Sequence, residues 1–175
     1  ELYIGANGGM VASSGNRLFA SYVNATEMND LYLLDTSYTD SMVLMFAYNN
    51  KVKELDLSMF NTSKVTSMNS MFYECNELET LELSSFDTSS VTNMRSMFNR
   101  CNSLTELYLN NFDTSKVTTM RGMFTYCNSL SELDLNSFDT SNVVDMYSMF
   151  AECTGLTELD LSMFNTTNLT NMNQM

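Results

Sequence analysis

Hydrophobic residues recur along this 175-residue chain at a fixed period of 26 residues. Repeats of about 20–50 residues are typical of arrays in which each unit is stable only against its neighbours. The pattern therefore predicts one repeat array over residues 17–175, with residues 1–16 as an N-terminal cap segment. The columns that show the period are Phe60, Phe86, Phe112, Phe138 and Phe164; Cys75, Cys101, Cys127 and Cys153; and Leu57, Leu83, Leu109, Leu135 and Leu161.

The first part of each repeat alternates apolar and polar residues. In residues 54–79, Leu55 and Leu57 alternate with Glu54 and Asp56. A period of two residues is typical of a strand with one buried face. We expect the strands of successive repeats to pair in parallel, about 4.8 Å apart.

The second part of each repeat has a helical spacing. Short polar residues, here Asn61-Thr62-Ser63, are typical of a helix N-cap. The apolar positions after them predict one face of a helix of about three turns. They are Val65, Met68, Met71, Phe72 and Cys75. The predicted fold class is α/β: a right-handed leucine-rich-repeat-like solenoid of about five to six repeats, the last incomplete. Short parallel strands would form one face and short helices the other.

Two strings of residues carry a resemblance to known proteins. Leu78-x-x-Leu81-x-Leu83-x-x-Phe86 resembles the strand motif of leucine-rich repeats. The longer string FDTSxVTxMxxMFxxCxxL, from Phe86 to Leu104, is similar to the repeat of BspA-like leucine-rich-repeat surface proteins of bacteria. The resemblance covers about nine-tenths of the chain. It implies a cell-surface or secreted protein with a role in adhesion or host interaction.

The composition restricts the partners. The chain has 8 basic and 21 acidic residues, a net charge of -13, and no histidine, proline or tryptophan. Nucleic acids and anionic membranes need clustered Lys and Arg, so we expect neither as a partner. No apolar run reaches the roughly 18 residues of a membrane-spanning helix, so direct membrane insertion is not expected. The acidic excess favours a basic protein or other basic ligand, and weak binding of cations.

The cysteine and methionine columns have packing interpretations. All four cysteines occupy one inward column, which favours reduced, buried thiols; disulfides or a bound metal are the alternatives. Two columns of methionines, from Met42 to Met172 and from Met45 to Met175, are interpreted as core residues in preference to copper ligands. We expect no metal site and no cofactor.

A column of threonines suggests a minor alternative function. Regular threonine columns are similar to the surfaces of ice-binding proteins, whereas hydrogen bonding at a turn explains the column without that function. Turn formation is the favoured interpretation. The members of the column are Thr36, Thr62, Thr88, Thr114, Thr140 and Thr166.

The outward positions of the predicted strands are mostly acidic. We call them the acidic face and take them as candidate partner-binding residues: Glu54, Asp56, Glu82, Glu106, Tyr108, Glu132, Asp134, Glu158 and Asp160. A strict period leaves no inserted loop to build a catalytic cleft, so the chain is not expected to be an enzyme and has no catalytic candidates. We predict a non-enzymatic interaction module. The alternative is a filament or stalk subunit that assembles end to end through the repeat with Met172 and Met175.

Overall fold

The computed structural model describes residues 2–3 and 10–175. Its strands are β1 (Leu2–Tyr3), β2 (Met10–Val11), β3 (Met28–Asn29), β4 (Leu34–Asp35), β5 (Glu54–Asp56) and β6 (Thr80–Glu82), with a 3-10 helix at Leu31–Leu33. They form three parallel pairs, β1 with β3, β2 with β4 and β5 with β6. The predicted cap segment thus contributes β1 and β2, while residues 1 and 4–9 of it lie outside the described residues.

The predicted α/β solenoid of leucine-rich-repeat type is wrong. Among the described residues the only helix is the three-residue 3-10 helix, and the run from Val65 to Cys75 consists of an isolated β-bridge at Ser67 followed by turns. Each sheet has two strands, and the segments 105–108, 131–134 and 157–160 do not extend the pair β5–β6. The apolar spacing wrongly predicted a helix, because consecutive three-residue turns also bring a side chain back to the same side after three residues. Met71 N–H, for example, donates to the Met68 carbonyl at 3.1 Å.

Backbone hydrogen bonds between repeats explain why these runs do not become helices. Alternate N–H groups in residues 68–74 donate to carbonyl oxygens 25 residues later, at 2.8–3.0 Å. Those N–H groups are therefore not available for the bonds to the fourth preceding residue that an α-helix requires. We call such a run of consecutive turns, here residues 68–74, a turn run. The same pattern recurs along the chain, so the turn runs of adjacent repeats lie side by side. The donor–acceptor pairs in this run are Met68–Asn93, Ser70–Arg95, Phe72–Met97 and Glu74–Asn99.

The turn runs place two residues of each repeat in the left-handed region of backbone conformation. Ser70 has φ 56° and Glu74 has φ 58°, and the corresponding residues of the following repeats are also positive. A left-handed conformation costs a residue with a Cβ about 1–2 kcal/mol, and glycine avoids that cost. In the described part of the chain, Gly122, with φ 59°, is the only glycine that occupies one of these left-handed positions.

Replacing Ser96, at φ 52°, by glycine should raise the free energy of unfolding by about 0.5–1 kcal/mol. Relief of the left-handed strain outweighs the extra entropy of glycine in the unfolded chain. The matched variant is Gly122→Ala, whose new Cβ would lie 3.2 Å from Thr125 Oγ1; it should lower the same free energy by about 1–2 kcal/mol. Urea unfolding measures both. Shifts of the same sign would contradict the assignment of strain.

The interior is formed by the predicted columns of apolar residues. Phe46, Phe72, Phe98 and Phe124 are completely buried, and each ring stacks on the next at centroid distances of 5.6–5.8 Å and angles of 5–8°. Both methionine columns are completely buried from Met42 to Met149, which confirms their assignment to the core. The repeats therefore share one continuous apolar interior.

The cysteines are free thiols, as predicted. Cys75, Cys101 and Cys127 are buried and Cys153 is half-buried. Each Sγ donates to a phenylalanine carbonyl 29 residues earlier, at 3.0–3.2 Å. Burial raises the pKa of Cys75 to about 12 and that of Cys153 to about 11, so the protonated, hydrogen-bonding form persists at neutral pH.

The threonine column joins neighbouring repeats, and its predicted role as a helix N-cap is wrong because no helix follows. Thr62 is 1% exposed. Its Oγ1 donates to the Asp87 carbonyl at 2.9 Å and accepts from the Asp87 N–H at 2.8 Å. Thr36, Thr88, Thr114 and Thr140 are equally buried, and only Thr166 of this column is exposed. These buried hydroxyls bond to the backbone of the next repeat and not within their own turn, so the predicted hydrogen bonding at the turn is wrong for these side chains. Because they are buried, they offer no regular exposed surface to ice.

Asn49 links the first turn run, residues 15–21, to the rest of the chain. It is completely buried and occupies the position that cysteine holds in later repeats. Its Nδ2 donates to the carbonyls of Phe19 and Phe46 at 2.8 and 2.6 Å, and its Oδ1 accepts from the Tyr22 N–H at 3.0 Å. Beside it, the Phe19 ring stacks on the Phe46 ring at a centroid distance of 5.4 Å.

Candidate functional site

All nine residues of the acidic face are exposed. β5 and β6 position the first three, since their register sets Glu54 beside Thr80 and Asp56 beside Glu82. The leucine between the two outward residues of each repeat turns inward; Leu55 is 3% exposed and Leu107 is 6% exposed. The alternation predicted from the sequence thus holds even where no strand pairing is present.

Two grooves divide the acidic face. The C-terminal groove, of about 700 Å³, lies between residues 131–136 and 157–160 and is lined by Glu132, Asp134, Glu158 and Asp160. The N-terminal groove, of about 420 Å³, is lined by the five other members of the acidic face: Glu54, Asp56, Glu82, Glu106 and Tyr108. The sequence predicted one face of paired parallel strands, whereas in the structure the same residues line two separate concave sites.

Where the second outward residue of a repeat is acidic, its carboxylate accepts a hydrogen bond from the backbone N–H two residues later. Asp56 accepts a hydrogen bond from the Ser58 N–H at 3.0 Å, and Asp160 accepts one from the Ser162 N–H at 2.8 Å. Bonds from the side chain and N–H of Ser58 lower the pKa of Asp56, and bonds from the N–H and side chain of Ser162 lower that of Asp160. Glu82 has a lowered pKa for the same reason, with Ser84 as donor. These groups are anionic at neutral pH.

Few cations accompany the grooves. Lys53 Nζ lies 2.7 Å from Glu79 Oε1, so this amine pairs with a carboxylate that lines the N-terminal groove but is not a member of the acidic face. The Arg100 guanidinium lies 3.8 Å from Glu74, and that of Arg121 lies 3.6 Å from Asp145, both on the turn runs. The charge is therefore segregated, with the carboxylates of the grooves largely uncompensated.

The described residues hold no group of three or more His, Cys, Asp or Glu side chains arranged to bind a metal ion. The exposed carboxylates stand along the grooves and do not converge on one point. Binding of a diffuse or extended cationic partner suits this arrangement better than coordination of a single ion. Weak cation binding stays a prediction.

An apolar cavity of about 440 Å³ lies at the last repeat. Phe150, Phe164 and Leu169 line it, together with Met172, which is 55% exposed, and the half-buried Met175. The predicted end-to-end assembly would use this surface, and it stays a prediction. In the described part of the chain no helix combines the length and apolar character needed to cross a membrane.

Comparison with curated proteins and with solved structures gives no match. A family model matches the chain in two overlapping segments, residues 16–108 and 105–175. Together these segments include both grooves and all the turn runs except residue 15 of the first. The resemblance to BspA-like repeats agrees with this family at the level of a repeat protein. The chain belongs to the family described as Mycoplasma protein of unknown function, DUF285.

Proposed function

We propose that this chain is a non-enzymatic interaction module that binds a basic protein segment along its acidic face. The observation that carries the proposal is the coincidence of exposure, concavity and charge: all nine candidate residues are exposed and line the two grooves. Extended faces of repeat proteins commonly serve as binding surfaces. A cell-surface or secreted location accompanies the proposal, on the strength of the resemblance to BspA-like repeats alone.

The physical basis of the binding is electrostatic. Eight carboxylates stand on successive repeats at exposed positions, so an extended chain with several cations meets more than one of them at once. Each exposed ion pair contributes only about 0.2–1 kcal/mol, so affinity depends on the number of pairs formed together. The groove floors add apolar contact, since Leu133 and Leu159 line the C-terminal groove and Leu55 and Leu81 line the other.

The test measures binding of fluorescent octalysine to the full chain by anisotropy. The variant replaces the carboxylates of the C-terminal groove by amides: Glu132→Gln, Asp134→Asn, Glu158→Gln and Asp160→Asn. Affinity should fall about tenfold or more, as four weak pairs are lost together. Raising the ionic strength from about 0.01 M to about 0.15 M should weaken binding by the native chain steeply, because the Debye length shortens from about 30 to about 8 Å.

The control removes four charges elsewhere. Asp35, Asp87, Asp113 and Asp139 are exposed, line neither groove, and accept a hydrogen bond from the N–H two residues later. Asparagine at these positions keeps an oxygen for that bond. Both variants change the net charge of -13 by four units. An equal loss of affinity in both would show attraction to overall charge and would contradict a specific site, as would binding that is insensitive to salt.

A further inference from the structure

Tyr108 interrupts the acidic column to which Asp56, Glu82, Asp134 and Asp160 belong. Its side chain is 70% exposed, and its hydroxyl donates to Glu106 Oε2 at 2.6 Å. It lines the N-terminal groove and also a neighbouring cavity of about 390 Å³, which contains Asn110 and Asn111. Tyr108 therefore stands where two concave surfaces meet, with its ring accessible to a partner.

Elsewhere in the molecule, three tyrosine rings form cation–π contacts with a basic side chain of the adjacent repeat. Lys64 Nζ lies 4.7 Å from the centroid of the Tyr38 ring. The guanidinium of Arg100 lies 4.5 Å from Tyr126, and that of Arg121 lies 4.0 Å from Tyr147. In every pair the two residues are 26 positions apart. One repeat thus regularly supplies the cation for a ring on the adjacent repeat.

Tyr108 has no such partner within the described part of the chain. The residues 26 positions before and after it are Glu82 and Asp134, both anionic. Glu106 accepts the hydrogen bond of its hydroxyl, and Glu82 lines the same groove, so carboxylates lie close to its ring. The hydrogen bond to Glu106 and the charge of that carboxylate raise the pKa of Tyr108, so the phenol stays neutral. A neutral aromatic face beside anions is the environment in which cation–π contacts form.

We propose that Tyr108 binds a guanidinium group of the basic partner and thereby selects arginine over lysine; this inference rests on the proposed function. A guanidinium is planar and weakly hydrated, so it stacks on an aromatic ring while donating to a flanking carboxylate. A lysine ammonium is a compact, strongly hydrated charge and gains less from the same ring. The acidic face supplies attraction for both cations, and Tyr108 supplies the discrimination.

The experiment compares octaarginine with octalysine as ligands of the full chain, by anisotropy at low salt. The native chain should bind octaarginine about two- to fivefold more tightly than octalysine through this contact. Tyr108→Ala should remove most of that preference, and Tyr108→Phe should keep it because the ring is retained. Tyr32→Ala is the matched control: Tyr32 is 65% exposed and lines neither groove, so the preference should be unchanged.

A second variant separates discrimination from affinity. Tyr108→Glu restores the acidic character of the column, so octalysine affinity should rise while the preference for octaarginine falls. Equal binding of both peptides by the native chain would overturn the role of Tyr108 and leave the proposed function standing. Retention of the preference in Tyr108→Ala would overturn it as well. Failure of the native chain to bind either peptide would overturn the proposed function, and this inference with it.

Discussion

Replacing Asn49 by alanine should lower the free energy of unfolding by about 3 kcal/mol or more. The change removes three hydrogen bonds from a completely buried side chain, to the carbonyls of Phe19 and Phe46 and from the N–H of Tyr22. Buried polar groups that lose their partners cost about 1–3 kcal/mol each, and alanine also leaves a cavity. Urea unfolding followed by circular dichroism measures the loss.

Two further variants separate the hydrogen bonds of Asn49 from its volume. Cys101→Ala, at the corresponding position of a later repeat, removes one Sγ–H bond to the Phe72 carbonyl and should cost about 1–2 kcal/mol. Asn49→Cys introduces the residue that later repeats use, whose Sγ donates only to the phenylalanine carbonyl of the preceding repeat. Of the three bonds it should keep only the one to the Phe19 carbonyl, so its effect should be intermediate. If Asn49→Ala were no more damaging than Cys101→Ala, the connecting role of Asn49 would be excluded.

Truncation of Phe98 to alanine should be comparably severe, at about 3–5 kcal/mol. The ring is completely buried and stacks on Phe72 at 5.6 Å and on Phe124 at 5.7 Å, so its loss opens a cavity between two repeats. The free energy of unfolding, again from urea titration, is the quantity to compare.

Phe150→Ala provides the matched control for Phe98→Ala. Phe150 is half-buried and has one stacking neighbour, Phe124, at 5.7 Å. Its truncation removes less contact and leaves a site open to water, so the loss of stability should be clearly smaller. Equal losses in the two variants would show that stacking between repeats does not determine the contribution of this column.

The sequence predicted which residues are buried but not the backbone that buries them. A strict period forces equivalent residues into equivalent environments, so Met68, Phe72 and Cys75 were assigned to the core correctly. Spacing alone does not distinguish a helix from consecutive turns. The turns differ from a helix in two ways: alternate N–H groups bond to the next repeat, and residues such as Ser70 are left-handed. Serine is not a residue type from which a left-handed conformation would be predicted.

The sequence predicted which residues form the candidate site, but it did not predict the two grooves in which they lie. Alternation placed Glu132 and Asp134 on the exposed side, and the structure agrees. The C-terminal groove lies between segments 131–134 and 157–160, which do not pair, whereas the N-terminal groove includes the paired strands β5 and β6. The alternation within one repeat does not encode whether it pairs with the next. Asn49 gave one signal that sequence reasoning missed, namely an amide in a column otherwise occupied by cysteine.

The hydrogen bonds between adjacent turn runs have a consequence for how this chain folds and changes in evolution. Every such contact uses the same columns, so a repeat can dock on the wrong neighbour and form nearly the same bonds, shifted by 26 residues. Repeat proteins are prone to misassembly of this kind. Residues that occur once, such as Asn49 and Gly122, identify individual positions and oppose such slippage. For the same reason, gain or loss of one complete repeat from the gene would leave the other contacts unchanged.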